Sequence, residues 1–199
     1  MARRADHSRE ELTGLAIEAG RDILIKEGFS GFSARKVAAK IGYTVGTLYN
    51  VFGSYDEMIL QINARTLDDW FAFMTQALAK HRSKGALHAL AKAYIEYSRT
   101  HYPLWRVLFE YQLEGDKAVP DWYAQKLARF FTQTEEELQP LLGKDKKKVR
   151  RAAHVLWAGI HGVCVLSLSG KLALVDAEAP EVLALSFIDH YMAGLTGGK

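Results

Sequence analysis

Apolar residues recur at helical spacing along most of this chain, and no stretch alternates in the way that a half-buried strand would. The first periodic segment predicts an amphipathic helix that is capped by Ser8 and Glu11 and ends before Gly28. Its apolar stripe consists of Leu12, Leu15, Ala16, Ala19 and Ile23. With only four prolines in 199 residues, the pattern predicts an all-α protein.

Two short helices are predicted between residues 33 and 52. The first is capped by Ser33 and ends at Gly42, and the second is capped by Thr44 and anchored by Leu48 and Phe52. Two helices joined by a tight turn with glycine form a helix-turn-helix, whose second helix enters the DNA major groove. A plain helical hairpin in an all-α protein would give the same pattern. In either case the three short helices form a small core with Phe29, Phe32, Val37 and Leu48, on which the next helix is expected to dock.

The segment from Leu12 to Leu60 resembles the DNA-binding domain of TetR-family transcriptional regulators. The resemblance rests on the pattern Gly-x-x-x-Gly-Thr-Leu-Tyr-x-x-Phe-x-Ser at residues 42–54, with further matches at Ala16, Gly28, Phe29, Ser33, Val37 and Ala38. It implies a homodimeric regulator, most often a repressor, with a helix-turn-helix DNA-binding domain at 1–53. Residues 54–199 would then form a larger helical domain for effector binding and dimerisation. The chain departs from the family at Tyr55, where Lys is usual, and at Val51, where His or Tyr is common.

Polar side chains on the second short helix are the candidate contacts to double-stranded DNA. Thr44, Thr47, Tyr49 and Asn50 are suited to base edges or phosphates, and Val45 is suited to a thymine methyl group. Arg35, Lys36 and Tyr55 are expected to reach phosphates, which fix position rather than sequence. A twofold dimer would read a palindromic operator.

Further helices are predicted over residues 54–80, 86–100, 103–115, 120–142, 145–172 and 180–195, with a break at 83–85. The last helix is apolar around much of its circumference, so it needs partners on more than one side. The Trp-x-x-x-His-Gly motif at 157–162 resembles the C-terminal domain of one TetR subgroup, in which the last two long helices form the dimer interface. That resemblance implies an interface containing Trp157, His161, Phe187, Ile188 and Tyr191.

Composition and charge change this picture little. A net charge of +3 permits DNA binding without requiring it, so any basic surface must be local. The basic run at 144–151 is interpreted as a solvated face, and Arg3 and Arg4 either touch DNA or belong to a frayed terminus. Cys164 is the only cysteine, which excludes an internal disulfide and fits a reducing compartment. Because no signal peptide and no sufficiently long apolar span is evident, we expect a cytoplasmic protein without a membrane segment.

Aromatic residues are frequent in the central region, where most are expected to fill the core. The family resemblance adds a cavity for an unknown small-molecule effector, hydrophobic or aromatic in character. Candidate residues for that cavity are Tyr94, Tyr97, Trp105, Gln112, His161 and Ser167.

The alternative hypothesis is an all-α small-molecule carrier or an enzyme that uses His161 and Cys164. No catalytic, phosphate-binding or metal-binding motif supports it, so we expect no catalytic residue, metal or cofactor.

Overall fold

The computed structural model describes residues 7–79, 81, 84–115 and 118–197. Within these ranges the chain forms nine α-helices and no strand, which confirms the all-α class. The helices are α1 Arg9–Glu27, α2 Ala34–Ile41, α3 Val45–Phe52, α4 Tyr55–Leu78, α5 Lys84–Thr100, α6 Tyr102–Glu110, α7 Asp121–Leu142, α8 Lys146–Leu168 and α9 Pro180–Thr196. Short 3-10 turns occur at Phe29–Gly31 and Ala173–Val175.

The predicted helix starts are confirmed where a local cap defines them. Ser8 accepts a hydrogen bond from the backbone N–H of Glu11, whose carboxylate in turn accepts from the backbone N–H of Ser8. Ser54 accepts from the N–H of Glu57 at 3.0 Å and so caps the start of α4. These caps satisfy backbone donors that the first helical turn leaves without a partner.

Two predicted helix ends were wrong. Helix α6 ends at Glu110 rather than near Gly115, because the next residue, Tyr111, turns its hydroxyl toward α4. Helix α8 ends at Leu168 rather than at 172, because Gly170 takes a left-handed φ of 72°.

Helix α5 begins at Lys84, inside the predicted break. The rest of that break (Ser83) and the predicted end of α4 (Lys80) lie outside the described residues, as do Arg3 and Arg4.

The chain divides into two compact units, Met1–Asp68 with Tyr102–Tyr123, and Asp69–His101 with Ala124–Lys199. These are packing units. The proposed functional boundary between residues 53 and 54 stays a prediction.

The core of the first unit joins α1, α2 and α3 to the start of α4 and to α6. Val37 and Leu48 are fully buried, and Ile59 of α4 is packed in the same cluster, so the expected docking of α4 is confirmed. Helix α6 also contributes to this core through Leu104 and Val107, which the sequence did not predict.

Phe29, predicted to be a core residue, is instead 40% exposed and lies against Tyr111, with the two ring centroids 5.7 Å apart. Tyr111 also donates a hydrogen bond to the carboxylate of Asp56, at 2.5 Å. Asp56 is buried in the first turn of α4, where a negative charge faces the positive end of the helix dipole. One side chain thus joins the end of α6 to the start of α4 and to the turn after α1.

The second unit packs α5 against α8 and α9. Nε2 of His88 in α5 and a carboxylate oxygen of Asp189 in α9 are within hydrogen-bond distance, at 2.8 Å. Aromatic rings fill much of the interior: Trp70 packs against Tyr94, Tyr97 and Phe130 with centroid distances of 4.8 to 5.6 Å. Edge-to-face and offset contacts of this kind stabilise beyond the area that they bury.

Candidate nucleic-acid interface

Helices α2 and α3 form the predicted helix-turn-helix, and each of its three local signals is present. Ser33 accepts from the backbone N–H of Lys36, and Thr44 accepts from that of Thr47, both at 3.2 Å. Between the helices Gly42 adopts a φ of 77°, and its N–H bonds to the last carbonyls of α2. A left-handed residue at this point lets the chain reverse within a few residues.

Helix α3 buries one side and exposes the other. Leu48 and Phe52 are buried in the core of the first unit. Thr44 and Asn50 are exposed, Tyr49 is 42% exposed, and Val45 and Thr47 are partly exposed. The structure therefore leaves all five predicted contact residues of this segment accessible. The remaining polar side of α3 has the size and chemistry that a major groove accepts.

A surface depression of about 540 Å³ lies beside α3. It is lined by Ser33, Ala34, Arg35, Val45, Tyr49 and Tyr55. Four predicted DNA-contact residues therefore come together at one place. The depression adjoins the N-terminus of α2, where backbone N–H groups and the helix dipole favour an anion, and Arg35 adds a positive charge. A phosphate group fits this chemistry.

Tyr55 is half-buried within this depression. Its ring packs on Phe32, with centroids 6.0 Å apart. Burial raises the pKa of Tyr55, and the nearby Tyr49 phenol raises it further. The hydroxyl therefore stays protonated at physiological pH and can donate a hydrogen bond, whereas the Lys that the family usually has would bring a full charge.

Lys36 is not among the lining residues. Its ammonium forms an ion pair with Glu27 of α1 at 2.5 Å, and Lys40 pairs with Asp22 of α1 at 3.2 Å. Two of the basic side chains of α2 are thus partly neutralised within the protein. The predicted phosphate contact of Lys36 stays a prediction, and it would compete with Glu27.

Two contacts to this segment were not predicted from the sequence. The His7 Nδ1 atom and the Tyr43 hydroxyl are 2.8 Å apart, which ties the start of the described chain to the turn before α3. Arg9 donates to the carbonyl of Val51 at 2.9 Å, near the end of α3. The partners are 36 and 42 residues apart, so no local spacing rule could have found them.

Comparison with known proteins agrees with this geometry. Residues 16–62 match the family model described as bacterial regulatory proteins, tetR family. Residues 87–191, more than half of the chain, match the model described as tetracyclin repressor-like, C-terminal domain. The chain belongs to the TetR family. It is therefore a DNA-binding transcriptional regulator with a helix-turn-helix and a helical C-terminal region. The predicted family and the predicted DNA-binding regulator function are confirmed.

Individual relatives of this TetR-family protein are distant. An uncharacterised HTH-type transcriptional regulator of Mycobacterium tuberculosis is 24% identical over 185 residues, which cover 90% of this chain and 78% of the relative. A Rhodococcus protein of unknown function has a similar structure, with a TM-score of 0.77, 18% identity and coverage of 98% and 100%. A TetR-like transcriptional regulator of the same Rhodococcus strain gives a TM-score of 0.61 at 20% identity, covering both chains completely. At this identity the structural matches establish the fold alone.

The predicted effector residues of this TetR-family chain fall into both compact units. Trp105 is buried and Gln112 is exposed in the first unit. In the second, Tyr94 and Tyr97 are buried, whereas His161 and Ser167 are partly exposed.

Two of these residues are in direct contact. The Tyr94 hydroxyl lies 2.9 Å from Nδ1 of His161, and burial lowers the pKa of His161, so the imidazole is neutral at pH 7. The pair places two polar atoms among the aromatic side chains of the second unit.

The residues of the carrier or enzyme hypothesis have little catalytic character. Burial raises the pKa of the Cys164 thiol to about 11, so the thiolate that a nucleophile requires is scarce at neutral pH. In the described part of the chain, no three His, Cys, Asp or Glu side chains are grouped so that they could hold a metal ion.

Four of the five predicted dimer residues are accessible in the single chain. Trp157 is 39% exposed, and His161, Phe187 and Tyr191 are partly exposed. Ile188 is fully buried inside the subunit and cannot contact a partner, so the prediction for this residue was wrong. The reason is that α9 turns its Ile188 side toward the core of the second unit.

Helix α8 is apolar but poorly covered. By length and composition alone, it is the one helix of the described residues that could cross a membrane, and only 28% of its apolar window is buried. Gly159 is one place where α8 is covered, because a Cβ atom there would overlap the ring of Phe187. The prediction that the chain has no membrane segment stays a prediction.

Proposed function

We propose that this TetR-family regulator is a ligand-responsive repressor whose homodimer binds a palindromic operator. The observation that carries the proposal is the exposed polar side of α3 beside a depression suited to a phosphate. A surface of this kind has no purpose in a carrier, because it stands outside the hydrophobic interior. We further propose that the DNA-binding function resides in residues 1–53, and that effector binding and dimerisation reside in 54–199.

In the proposed complex α3 lies in the major groove. Thr44, Thr47 and Asn50 contact base edges, and Val45 contacts a thymine methyl group. Arg35, Tyr49 and Tyr55 surround one phosphate at the depression. Lys36 gives up its ion pair with Glu27 and binds a second phosphate instead. Contacts of the first kind select sequence, whereas contacts of the second kind fix the position of the helix.

The dimer is supported by the exposed apolar surface of α8. The apolar window of this helix is largely uncovered in the single chain, and such a surface requires a partner in water. Trp157, His161, Phe187 and Tyr191 supply aromatic surface there, which is enriched in protein interfaces. A twofold dimer places its two α3 helices at half-sites one helical turn apart, or a multiple of it.

The effector is proposed to be a hydrophobic or aromatic small molecule that enters the aromatic interior of the second unit. The Trp70 ring packs against the candidate residues Tyr94 and Tyr97. The hydrogen-bonded Tyr94–His161 pair offers polar atoms that could orient the ligand. The ligand acts only through its preference for the state that does not bind the operator. We propose that Ser167 of the same unit also takes part, that the protein acts in the cytoplasm, and that it is not an enzyme. The effector roles of Trp105 and Gln112, which belong to the first unit, stay predictions.

Selection of bound sequences from a random DNA duplex pool tests this function. With purified full-length protein at about 0.1 M salt, we expect an enriched palindrome with half-sites spaced by whole helical turns. A single unrepeated half-site would contradict the dimer. A pool that remains random would contradict sequence-specific operator recognition and would favour the carrier hypothesis.

A further inference from the structure

Helix α3 and its capping residue contain no charged side chain. Residues 44–52 consist of Thr, Val, Gly, Thr, Leu, Tyr, Asn, Val and Phe. The three basic residues between positions 33 and 53 all belong to α2: Arg35 lines the depression, and Lys36 and Lys40 form ion pairs with α1. The commonest specific contact to guanine is a bidentate pair from Arg or Lys to O6 and N7. Helix α3 therefore lacks the side chains that usually select a G·C base pair.

Asn50 lies at the centre of the outward side of α3. At about 100° per residue, it is on the opposite side of the helix from the buried Leu48 and Phe52. Its side chain is exposed and makes no hydrogen bond with another described residue. A carboxamide presents a donor group beside an acceptor. Adenine offers the matching N7 acceptor and N6–H donor, whereas guanine offers two acceptors and would leave the Asn50 oxygen without a donor.

Gly46 allows this short side chain to reach the floor of the groove. It lies one helical turn before Asn50 on the same side of α3, and it is exposed. A Cβ atom there would meet only Oγ1 of Thr44, at the ordinary contact distance of 3.8 Å, so packing within the protein does not require glycine. Because residue 46 has no side chain, the backbone of α3 can approach the bases closely.

The other outward side chains of α3 present methyl groups. Val45 is partly exposed and lines the depression. The hydroxyl oxygens of Thr44 and Thr47 lie 2.9 Å apart, and Thr44 also accepts from the backbone N–H of Thr47. One of the two hydroxyl protons is therefore already used inside the protein, which leaves the pair little capacity to hydrogen-bond a base. Side-chain methyl groups contact the C5-methyl group of thymine, which guanine and cytosine lack.

We infer that α3 reads A·T base pairs, with an adenine bound by Asn50 and neighbouring thymines contacted by Val45 and Thr47. This inference rests on the proposed recognition by α3 and names the bases that the helix selects. Val45 and Asn50 are five residues apart, which is about 7.5 Å along the helix axis. Base pairs are stacked about 3.4 Å apart, so the contacts cover about three neighbouring pairs. Each half-site of the operator therefore contains a run of about three A·T pairs where α3 contacts it.

Parallel selections from a random duplex pool test the adenine contact. The native protein should enrich an adenine at one position of each half-site, and Asn50→Ala should lose the preference at that position alone. Asn50→Arg should select guanine there instead, because a guanidinium matches O6 and N7. Changing that pair to G·C in one half-site should weaken native binding by roughly 5- to 150-fold, and it should leave the affinity of Asn50→Ala nearly unchanged. A purely structural role for Asn50 would not change the base preference at a single position.

Small chemical changes in the DNA test the same contacts without altering the protein. Replacing the adenine by 7-deazaadenine removes its N7 acceptor, which should weaken native binding by about two- to tenfold and leave Asn50→Ala unaffected. Replacing a thymine by uracil removes only its methyl group, which should weaken native binding by about fourfold. Val45→Ala should be insensitive to uracil at its own thymine, and it should keep the native response to 7-deazaadenine.

Gly46→Ala tests the close approach of the α3 backbone. We expect this variant to fold and to lose roughly tenfold in operator affinity, because the added methyl group overlaps the DNA. Gly14→Ala is the matched control, since its methyl group also lies on open helix surface, and it should bind the operator with native affinity. Native affinity for Gly46→Ala would contradict the short distance that Asn50 needs.

Two further results would overturn the proposal and leave the regulator function untouched. One is a G·C pair at the position that responds to the Asn50 substitutions. The other is an unchanged base preference in Asn50→Ala. A native selection that stays random would instead contradict the proposed operator recognition itself, so the two failures are distinguishable.

Discussion

Tyr55 offers a quantitative test of the proposed phosphate site. It opens α4 and lines the depression with Arg35 and Tyr49, and the family usually has Lys at this position. Replacing it with Lys would place one additional positive charge beside the proposed phosphate. The effect of this substitution on DNA binding therefore tests whether a DNA phosphate occupies the depression, whatever the operator sequence is.

The expected magnitude follows from counterion release. Each new phosphate contact steepens the slope of log K against log salt by about 0.9, so a dimer with two such sites should gain about 1.8. At about 0.1 M salt the same relation gives roughly tenfold tighter binding for each half-site. Fluorescence anisotropy with a labelled operator at four salt concentrations measures both quantities.

Two controls separate this effect from folding. Tyr55→Phe keeps the ring that packs on Phe32 and removes only the hydroxyl, so we expect weaker DNA binding with an unchanged salt slope. Lys at the start of α4 opposes the helix dipole and should cost about 0.3–1 kcal/mol of stability, which thermal unfolding would detect. If Tyr55→Lys folds and its salt slope equals the native one, no phosphate lies at this depression.

Two further predictions concern the packing that supports these surfaces. Gly159→Ala should destabilise the protein by about 1–3 kcal/mol, because the new methyl group overlaps the ring of Phe187. Gly14→Ala, on open helix surface, should instead stabilise it by about 0.5–1 kcal/mol. Equal midpoints of urea unfolding for the two variants would contradict the close contact between Gly159 and Phe187. Tyr111→Phe removes the hydrogen bond to buried Asp56 while keeping the ring, and it should cost about 1–3 kcal/mol in the same assay; a change below about 0.3 kcal/mol would mean that the bond contributes nothing to stability.

Local chemistry explains why much of the fold could be predicted from the sequence. The caps at Ser8, Ser33 and Thr44 act on backbone groups three residues away, and Gly42 supplies the left-handed turn by itself. Such signals need no knowledge of the rest of the chain. The helix-turn-helix and its exposed polar side therefore followed from residues that are close in sequence.

Features that depend on distant partners could not be predicted in this way. Helix α6 ends early because the Tyr111 hydroxyl donates a hydrogen bond to Asp56, which is 55 residues away in the sequence. The small residues on α8 correctly indicated close helix contact, yet no periodicity could show that Gly159 serves the chain's own α9 while Gly162 stays open. Ile188 looked equivalent to its apolar neighbours on α9 until packing placed it inside the subunit.

The central claim is that the exposed side of α3 reads DNA, and one variant tests it most directly. Thr47→Ala combined with Tyr49→Ala removes two outward side chains and leaves the buried anchors Leu48 and Phe52 in place. We predict that this variant keeps the unfolding temperature of the native protein and binds the selected operator at least tenfold more weakly. It loses the base contact of Thr47, where a good contact contributes about 1–3 kcal/mol, and also the phosphate contact of Tyr49. Native operator affinity in the folded double variant would contradict the assignment of α3 as the recognition helix.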